Sequence, residues 1–278
     1  MIYRRLKNSD EKIAAIGLGT WAIGGREGPD TSRDGEYIDT IARAIEMGYH
    51  HIDTAEYYAG GHTEELIGEA ISLFDRRELF LVSKVWPTHL RERDLHRALD
   101  GTLKRLRTDY VDMYLVHWPN PDVPLGETMK AMADEVRAGR TRFIGVSNFD
   151  TNLLKKAIAV STEPIVNNQV LFNIEDRQAM YELLPFCQSE GITLTAYSPL
   201  KRNLVSEFTG QALERLAEKY YASPQQIMLA WLLGKEGVIV IPKAEKIDHL
   251  RSNIDSKNIV LTPEDMKILD ELKGGGLV

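Results

Sequence analysis

Cysteine is nearly absent from this chain: Cys187 is the single one among 278 residues. That excludes an internal disulfide framework and a cysteine-built metal centre, and Cys187 itself falls in a segment patterned as a buried helical face. Long apolar runs are missing as well. Met1-Ile2-Tyr3-Arg4-Arg5-Leu6 lacks the apolar stretch of a secretion signal, and no run approaches the roughly 20 residues of a membrane span, so a cytoplasmic protein without a membrane partner is expected. A basic excess is also missing. The 34 Lys and Arg against 41 Asp and Glu leave a net charge of −7, which argues against a nucleic-acid partner. No low-complexity linker and no shift of composition divides the chain, so residues 1–278 are expected to form one domain, and 43% apolar residues supply an ample core.

What the chain does have is a repeat of polar residues at strand-like ends. Asp53, Lys84, His117 and Asn148 are separated by 31, 33 and 31 residues, about one βα unit. Each closes a short apolar run: Tyr49 to Asp53, Leu79 to Lys84, Val111 to His117 and Phe143 to Asn148. Eight strand candidates end near Gly17, Asp53, Lys84, His117, Val146, Val170, Ala196 and Ile241. Amphipathic helical stretches lie between them, including 36–47, 64–73, 92–106, 127–137, 153–160 and 177–190. Strict alternation implies a parallel sheet covered by helices, and eight strands imply an α/β (β/α)8 TIM barrel whose chemistry gathers at the strand C-termini. Ser223-Pro224-Gln225-Gln226 reads as a capping box opening a helix, and Thr262-Pro263 opens the last one. Gly48, Gly139 and Gly191 read as C-terminal caps. Ile2 to Leu6 and Lys12 to Ile16, joined by Asn8-Ser9-Asp10, are expected to form a hairpin closing the barrel's bottom.

Two other signals carry less. Gly17-Leu18-Gly19-Thr20-Trp21-Ala22 matches a G-x-G-x-x-A dinucleotide fingerprint, but Gly24-Gly25 and Gly28-Pro29 follow where a helix should open. His50, His51, Asp53 and His62 lack metal-ligand spacing, and adjacent strand histidines point to opposite faces; no metal is expected.

Singly, Asp53 reads as a cap, Lys84 as a solvated strand end, His117 as a core histidine, and Tyr57 and Tyr58 as loop aromatics. Together at one barrel mouth they make a proton-transfer set. An ionised aspartate stabilises an ammonium, and the ammonium is expected to lower a neighbouring phenol from about 10 toward working pH. Such a phenol donates a proton to a carbonyl oxygen gaining negative charge, with histidine orienting that carbonyl.

These segments resemble the aldo-keto reductase family over nearly the whole chain. Asp53-Thr54-Ala55-Glu56-Tyr57-Tyr58 resembles its D-T-A-x-x-Y segment, which makes Tyr58 the counterpart of the catalytic tyrosine. Ser83-Lys84-Val85-Trp86, His117-Trp118-Pro119 and Gly145-Val146-Ser147-Asn148-Phe149 resemble the S-K-[VL]-W, H-W-P and G-V-S-N-F strand ends, and Ile241-Pro242-Lys243 resembles I-P-K. The resemblance implies reversible hydride transfer from NADPH to an aldehyde, ketone or sugar. The implied catalytic residues are Asp53, Tyr58, Lys84 and His117. The implied cofactor contacts are Ser147, Asn148 and Gln169 on the carboxamide and Tyr197 stacked on the nicotinamide ring. Lys243 is implied on a 2′-phosphate, with Thr20, Trp21, Asp53, Ser198, Leu200, Ala244, His249 and Asn253 along the rest of the dinucleotide. Trp21, Trp86, Trp118 and His117 are implied to wall the substrate pocket.

Several positions depart from that pattern. His249 stands where NADPH-preferring members often carry arginine, and Glu245 adds a negative charge offset by Lys246, so NADH is an alternative donor. Ala59 follows Tyr58 where many relatives have glycine. Leu200-Lys201-Arg202 replaces the usual Leu-Gly over the pyrophosphate, and the chain stops soon after Leu272, leaving any C-terminal substrate loop short and the substrate undefined. Two other functions fit part of the pattern: an aldolase forming a Schiff base on Lys84, and a non-enzymatic NADPH-binding subunit that senses redox state. The sequence sets no oligomeric state.

Overall fold

The computed structural model describes residues 2–6, 9–200 and 205–272; Asn8, Lys201, Arg202 and residues 273–278 lie outside that set. Two antiparallel strands open it, β1 (Tyr3–Arg5) and β2 (Lys12–Ala14), as the hairpin pattern predicts. Eight parallel strands follow: β3 (Leu18–Gly19), β4 (His51–Asp53), β5 (Phe80–Val85), β6 (Val111–Val116), β7 (Thr141–Ser147), β8 (Ile165–Leu171), β9 (Thr193–Tyr197) and β10 (Val238–Val240). They pair in chain order, and the sheet closes on itself. Gly17 N–H donates to Val240 O (2.8 Å), Val240 N–H to Ala15 O (2.8 Å) and Gly19 N–H to Pro242 O (3.2 Å). The chain is therefore the (β/α)8 barrel expected from the alternation.

Helices α1 (Asp34–Glu46), α2 (His62–Ile71), α3 (Glu92–Leu106), α4 (Leu125–Arg137) and α5 (Thr151–Val160) wrap the first strands, close to the predicted spans. The single helix expected over 177–190 is instead two, α6 (Gln178–Tyr181) and α7 (Leu183–Glu190), broken at Glu182 with φ −127°. Pro185 explains the break, since its ring would meet the carbonyl of residue 181 in a continuous helix and it has no N–H to bond back. Next come α8 (Glu207–Tyr220), α9 (Pro224–Leu233), α10 (Ile247–Asp255) and α11 (Pro263–Glu271). The Ser223/Gln226 capping box opens α9 and Thr262 caps α11. Every residue from Ile227 to Leu233 is buried, so α9 is apolar on all sides, as a helix enclosed by neighbours must be.

The hairpin holds the bottom. Arg4 donates from Nη2 to Leu233 O (2.5 Å) at the C-terminus of α9 and from Nε to Val238 O (3.3 Å) at the start of β10. The G-x-G segment has a packing explanation. A Cβ on Gly17 would lie 2.5 Å from the ring of His51, and one on Gly19 would collide with the carbonyl oxygen of Ile241. His51 is buried and its Nδ1–H donates to Ala14 O (3.2 Å), which spends this histidine below the strand ends. His62, on the outer α2, lies between Asp34 and Glu65, 2.9 Å from each.

Candidate active site

The four strand-end residues converge at the C-terminal mouth. Lys84, in β5, has no exposed surface, and its ammonium spends all three donors: on Asp53 Oδ1 (2.6 Å), Thr54 O (2.7 Å) and Tyr58 Oη (3.2 Å). The other oxygen of Asp53 accepts from Gln169 Nε2 (2.7 Å) at the end of β8, and its backbone carbonyl accepts from Thr20 Oγ1 (2.8 Å). Burial opposes the charge on Lys84, but Asp53 and Tyr58 together outweigh it and raise its pKa. A lysine held as an ammonium cannot add to a carbonyl, so the Schiff-base alternative loses its nucleophile.

Tyr58 lies off the strand interval, on the loop between β4 and α2. Residues 59, 60 and 61 all take left-handed φ values (51°, 64° and 97°). Glycine adopts these freely, and Ala59 holds its own at a cost of about 1–2 kcal/mol. Its side chain is buried, with the Tyr58 ring edge-on to Trp21 (5.1 Å) and His117 (5.7 Å). The phenol differs from the sequence-based expectation. Burial raises its pKa and is the largest influence; Lys84 pulls the other way without overcoming it. Desolvation of the phenolate exceeds the attraction of an ammonium already neutralised by Asp53.

His117 follows β6 directly. Burial, reinforced by Lys84, pushes its pKa down to about 2, so the imidazole is neutral. Its buried Nδ1 has no partner among the described residues. Asn148 follows β7 with φ 63°. Its Nδ2 donates to His117 O (3.0 Å) and Ser147 Oγ (3.0 Å), and its Oδ1 accepts from Tyr197 Oη (3.0 Å). Ser147 Oγ donates to Gln169 O (2.8 Å). One polar network thus joins the ends of β4, β5, β7, β8 and β9.

A cleft of about 720 Å³ opens over this network. Its lining includes Asp53, Tyr58 and His117; Thr20, Ser147, Asn148, Gln169, Tyr197, Ser198 and Leu200; Lys243, His249 and Asn253; and the three tryptophans Trp21, Trp86 and Trp118. Trp231, the fourth, is core. Of the residues the sequence nominated, Lys84 lies behind the lining, hydrogen-bonded to Asp53 and Tyr58, which do line it. Ala244 is buried and does not line the cleft. Tyr57, passed over for Tyr58, stacks on Trp86 (3.8 Å, 9° between planes) and builds the wall. Ser223, Gln225 and Ser252 also line the cleft; their only sequence signal is that the first two open α9. Glu56, also unforeseen, accepts from Trp86 N–H (2.6 Å) and holds that wall in place.

The Aldo/keto reductase family model matches residues 15–273. Methylglyoxal reductase YeaE of Escherichia coli strain K12 is 34% identical over 95% of this chain and 92% of that protein. Methylglyoxal reductase DkgB of Escherichia coli O157:H7 is 36% identical over 94% and 93%. Among solved structures, a thermostable aldo-keto reductase complexed with the inhibitor epalrestat aligns with a TM-score of 0.97 and 59% identity, covering 98% of this chain and all of that one. An aldo/keto reductase from Klebsiella pneumoniae in complex with NADP and acetate aligns at 0.89 with 37% identity, covering 98% and 95%. With the barrel, the strand-end network and these matches together, the chain belongs to the aldo/keto reductase family.

Proposed function

We propose that this chain is an NADPH-dependent carbonyl reductase, reversibly converting an aldehyde or ketone into the alcohol in the cytoplasm. The observation that carries the reading is the Asp53–Lys84–Tyr58 chain of hydrogen bonds ending at a cleft beside neutral His117. The described residues contain no helix long and apolar enough to cross a membrane.

The cleft's donor set fits NADPH. Next to Asp53 the cleft carries the side-chain amides of Asn148 and Gln169, the Ser147 hydroxyl and the flat ring of Tyr197, which suit a planar carboxamide-bearing ring. It also carries Lys243, His249 and Asn253, with the first turns of α9 and α10 in its lining, where backbone N–H groups favour phosphate. When bound there, NADPH supplies the hydride that the carbonyl carbon accepts. Tyr58 supplies the proton to the carbonyl oxygen, and its raised pKa keeps it loaded at neutral pH. Lys84, paired with Asp53, stabilises negative charge as it develops on the phenol oxygen, an interaction stronger in the transition state than before it. His117 positions the carbonyl. As a neutral imidazole it has one N–H to donate to the carbonyl oxygen. Trp21, Trp86 and Trp118 shape an apolar wall for the substrate, and short 2-oxoaldehydes belong in the test panel because two relatives are named for methylglyoxal.

Tyr58→Phe tests the assignment. Positioned proton transfer contributes about 10²–10⁴-fold, so NADPH oxidation with an aldehyde panel should fall by that factor while the NADPH dissociation constant stays unchanged. Ordinary turnover in the variant would overturn the role of Tyr58. Tight NADPH binding by the wild type without turnover on any carbonyl would favour the redox-sensing subunit instead.

A further inference from the structure

We propose that Glu245 is the residue that sets this chain's choice between dinucleotides with a 2′-phosphate and those with a 2′-hydroxyl, by competing for Lys243; the inference rests on placing the 2′-phosphate at Lys243. The Nζ of Lys243 lies 2.6 Å from Glu245 Oε1. The other oxygen of Glu245 pairs with Arg33 Nη1 (3.1 Å), and Arg33 Nε pairs with Glu36 (2.8 Å). Four charges, from β10's exit, the turn before α1 and the first turn of α1, therefore cancel. Lys243 is the one Lys or Arg among the described residues that line the cleft, and His249 beside it offers no fixed charge.

A 2′-phosphate, carrying close to two negative charges, meets a cation already neutralised and a carboxylate in hydrogen-bond contact with it. Binding has to move Glu245 off Lys243 or accept the repulsion. A 2′-hydroxyl meets the same carboxylate as an acceptor, the arrangement by which acidic side chains select NAD in other dinucleotide sites. Burial disfavours the charge on Glu245, but Lys243 and Arg33 outweigh it and hold the carboxyl below its usual range, so it is ionised at neutral pH. Arg33 supplies a second anchor to which Glu245 retreats, which makes the competition adjustable instead of an outright block.

The test is equilibrium binding of NADP⁺ and NAD⁺, read by tryptophan fluorescence quenching and calorimetry, in wild type, Glu245→Gln and Lys243→Met. Glu245→Gln is isosteric and partly exposed. It should tighten NADP⁺ by roughly five- to tenfold, as removal of one neighbouring like charge at a partly solvated site allows, and weaken NAD⁺ severalfold. Lys243→Met should weaken NADP⁺ and leave NAD⁺ nearly unchanged. If Lys243→Met behaves so while Glu245→Gln leaves the ratio of the two constants unmoved, the role of Glu245 is overturned and the Lys243 reading stands. If Lys243→Met leaves NADP⁺ unchanged, the placement of the 2′-phosphate fails, and the proposal with it.

Discussion

Replacing Asp53 by Asn removes one charge from a pair with no contact with solvent. Lys84 is fully buried and Asp53 is 1% exposed. Both Asp53 oxygens are in use, one on Lys84 at 2.6 Å and one on Gln169 at 2.7 Å, and both partners donate. An asparagine must turn its NH₂ toward one of them, so one hydrogen bond becomes a donor–donor contact whichever way the amide lies. The ammonium keeps Thr54 O and Tyr58 Oη and gains at best a neutral amide oxygen in place of its counter-charge. Breaking a buried pair by removing one partner costs about 3–5 kcal/mol. For a chain of this size each kcal/mol shifts Tm by about 2–4 °C, which gives a drop of roughly 6–20 °C at pH 7.

The pH dependence is diagnostic. In the wild type the folded pKa of Lys84 is raised above 10.5, so its contribution is fully present below that value and is lost as pH rises through the folded pKa. Without Asp53, burial disfavours the ammonium and the folded pKa falls below the unfolded one. The variant then loses stability as pH drops below the lysine range. The deficit relative to wild type is therefore largest at neutral pH and shrinks toward pH 10. Urea unfolding followed by circular dichroism at pH 7 and pH 10 measures it. Adding Lys84→Met to Asp53→Asn removes the stranded charge and should recover much of the loss. A single variant as stable as wild type at pH 7, a deficit equal at both pH values, or a double variant worse than the single one would refute the buried-pair account.

Tyr58 and Lys84 are both shifted upward and His117 is pushed down to about 2. The kcat/KM for carbonyl reduction should therefore be flat from pH 5 to 9, and an enzyme titration between pH 6 and 8 would contradict these assignments. Gly19→Ala drives a methyl into the backbone carbonyl of Ile241, where β3 meets the exit of β10 and closes the barrel. Overpacking against backbone costs about 1–3 kcal/mol, measurable as a lowered urea midpoint, and an unchanged midpoint would show that the closure yields.

The strand-end set was legible because its signal is one-dimensional: a charged or polar residue ending an apolar run, repeated every 31 to 33 residues, needs no knowledge of distant contacts. Helix stops at Gly48, Gly139 and Gly191 were legible for the same reason, and all three take positive φ. Arg107 and Tyr221 end α3 and α8 in the same left-handed conformation without glycine, so local chemistry gave no warning. Ser223, Gln225 and Ser252 reach the cleft only because the barrel closes, with α9 packed on β10 and α10 between α9 and α1. The phenol's direction was misjudged because it depends on how much water the fold removes, a three-dimensional quantity. An ammonium visible in the sequence was weighed while the burial opposing it was not.

Tyr58 sits on a loop, yet it keeps register with residues on strands. Tyr58 must hold its oxygen near Lys84 Nζ from a turn with three left-handed residues, which is not self-supporting. The first three residues of α2 each tie that turn down in a different direction. His62 bridges Asp34 and Glu65 (2.9 Å each), reaching back to α1. Thr63 Oγ1 donates to Ile23 O (2.6 Å), next to the Trp21 wall. Glu64, fully buried, accepts from Ser83 Oγ (2.6 Å), the neighbour of Lys84, and from Arg105 Nε (2.7 Å) on α3. Burial raises the Glu64 pKa, and Arg105 and Ser83 only partly offset it, so this anchor is maintained against a desolvation cost. The buried Glu64 carboxylate, bonded to Ser83 beside Lys84, ties the start of α2, and with it the Tyr58 loop, to β5 itself. The interval in the sequence places the lysine, and the start of α2 carries the tyrosine to it.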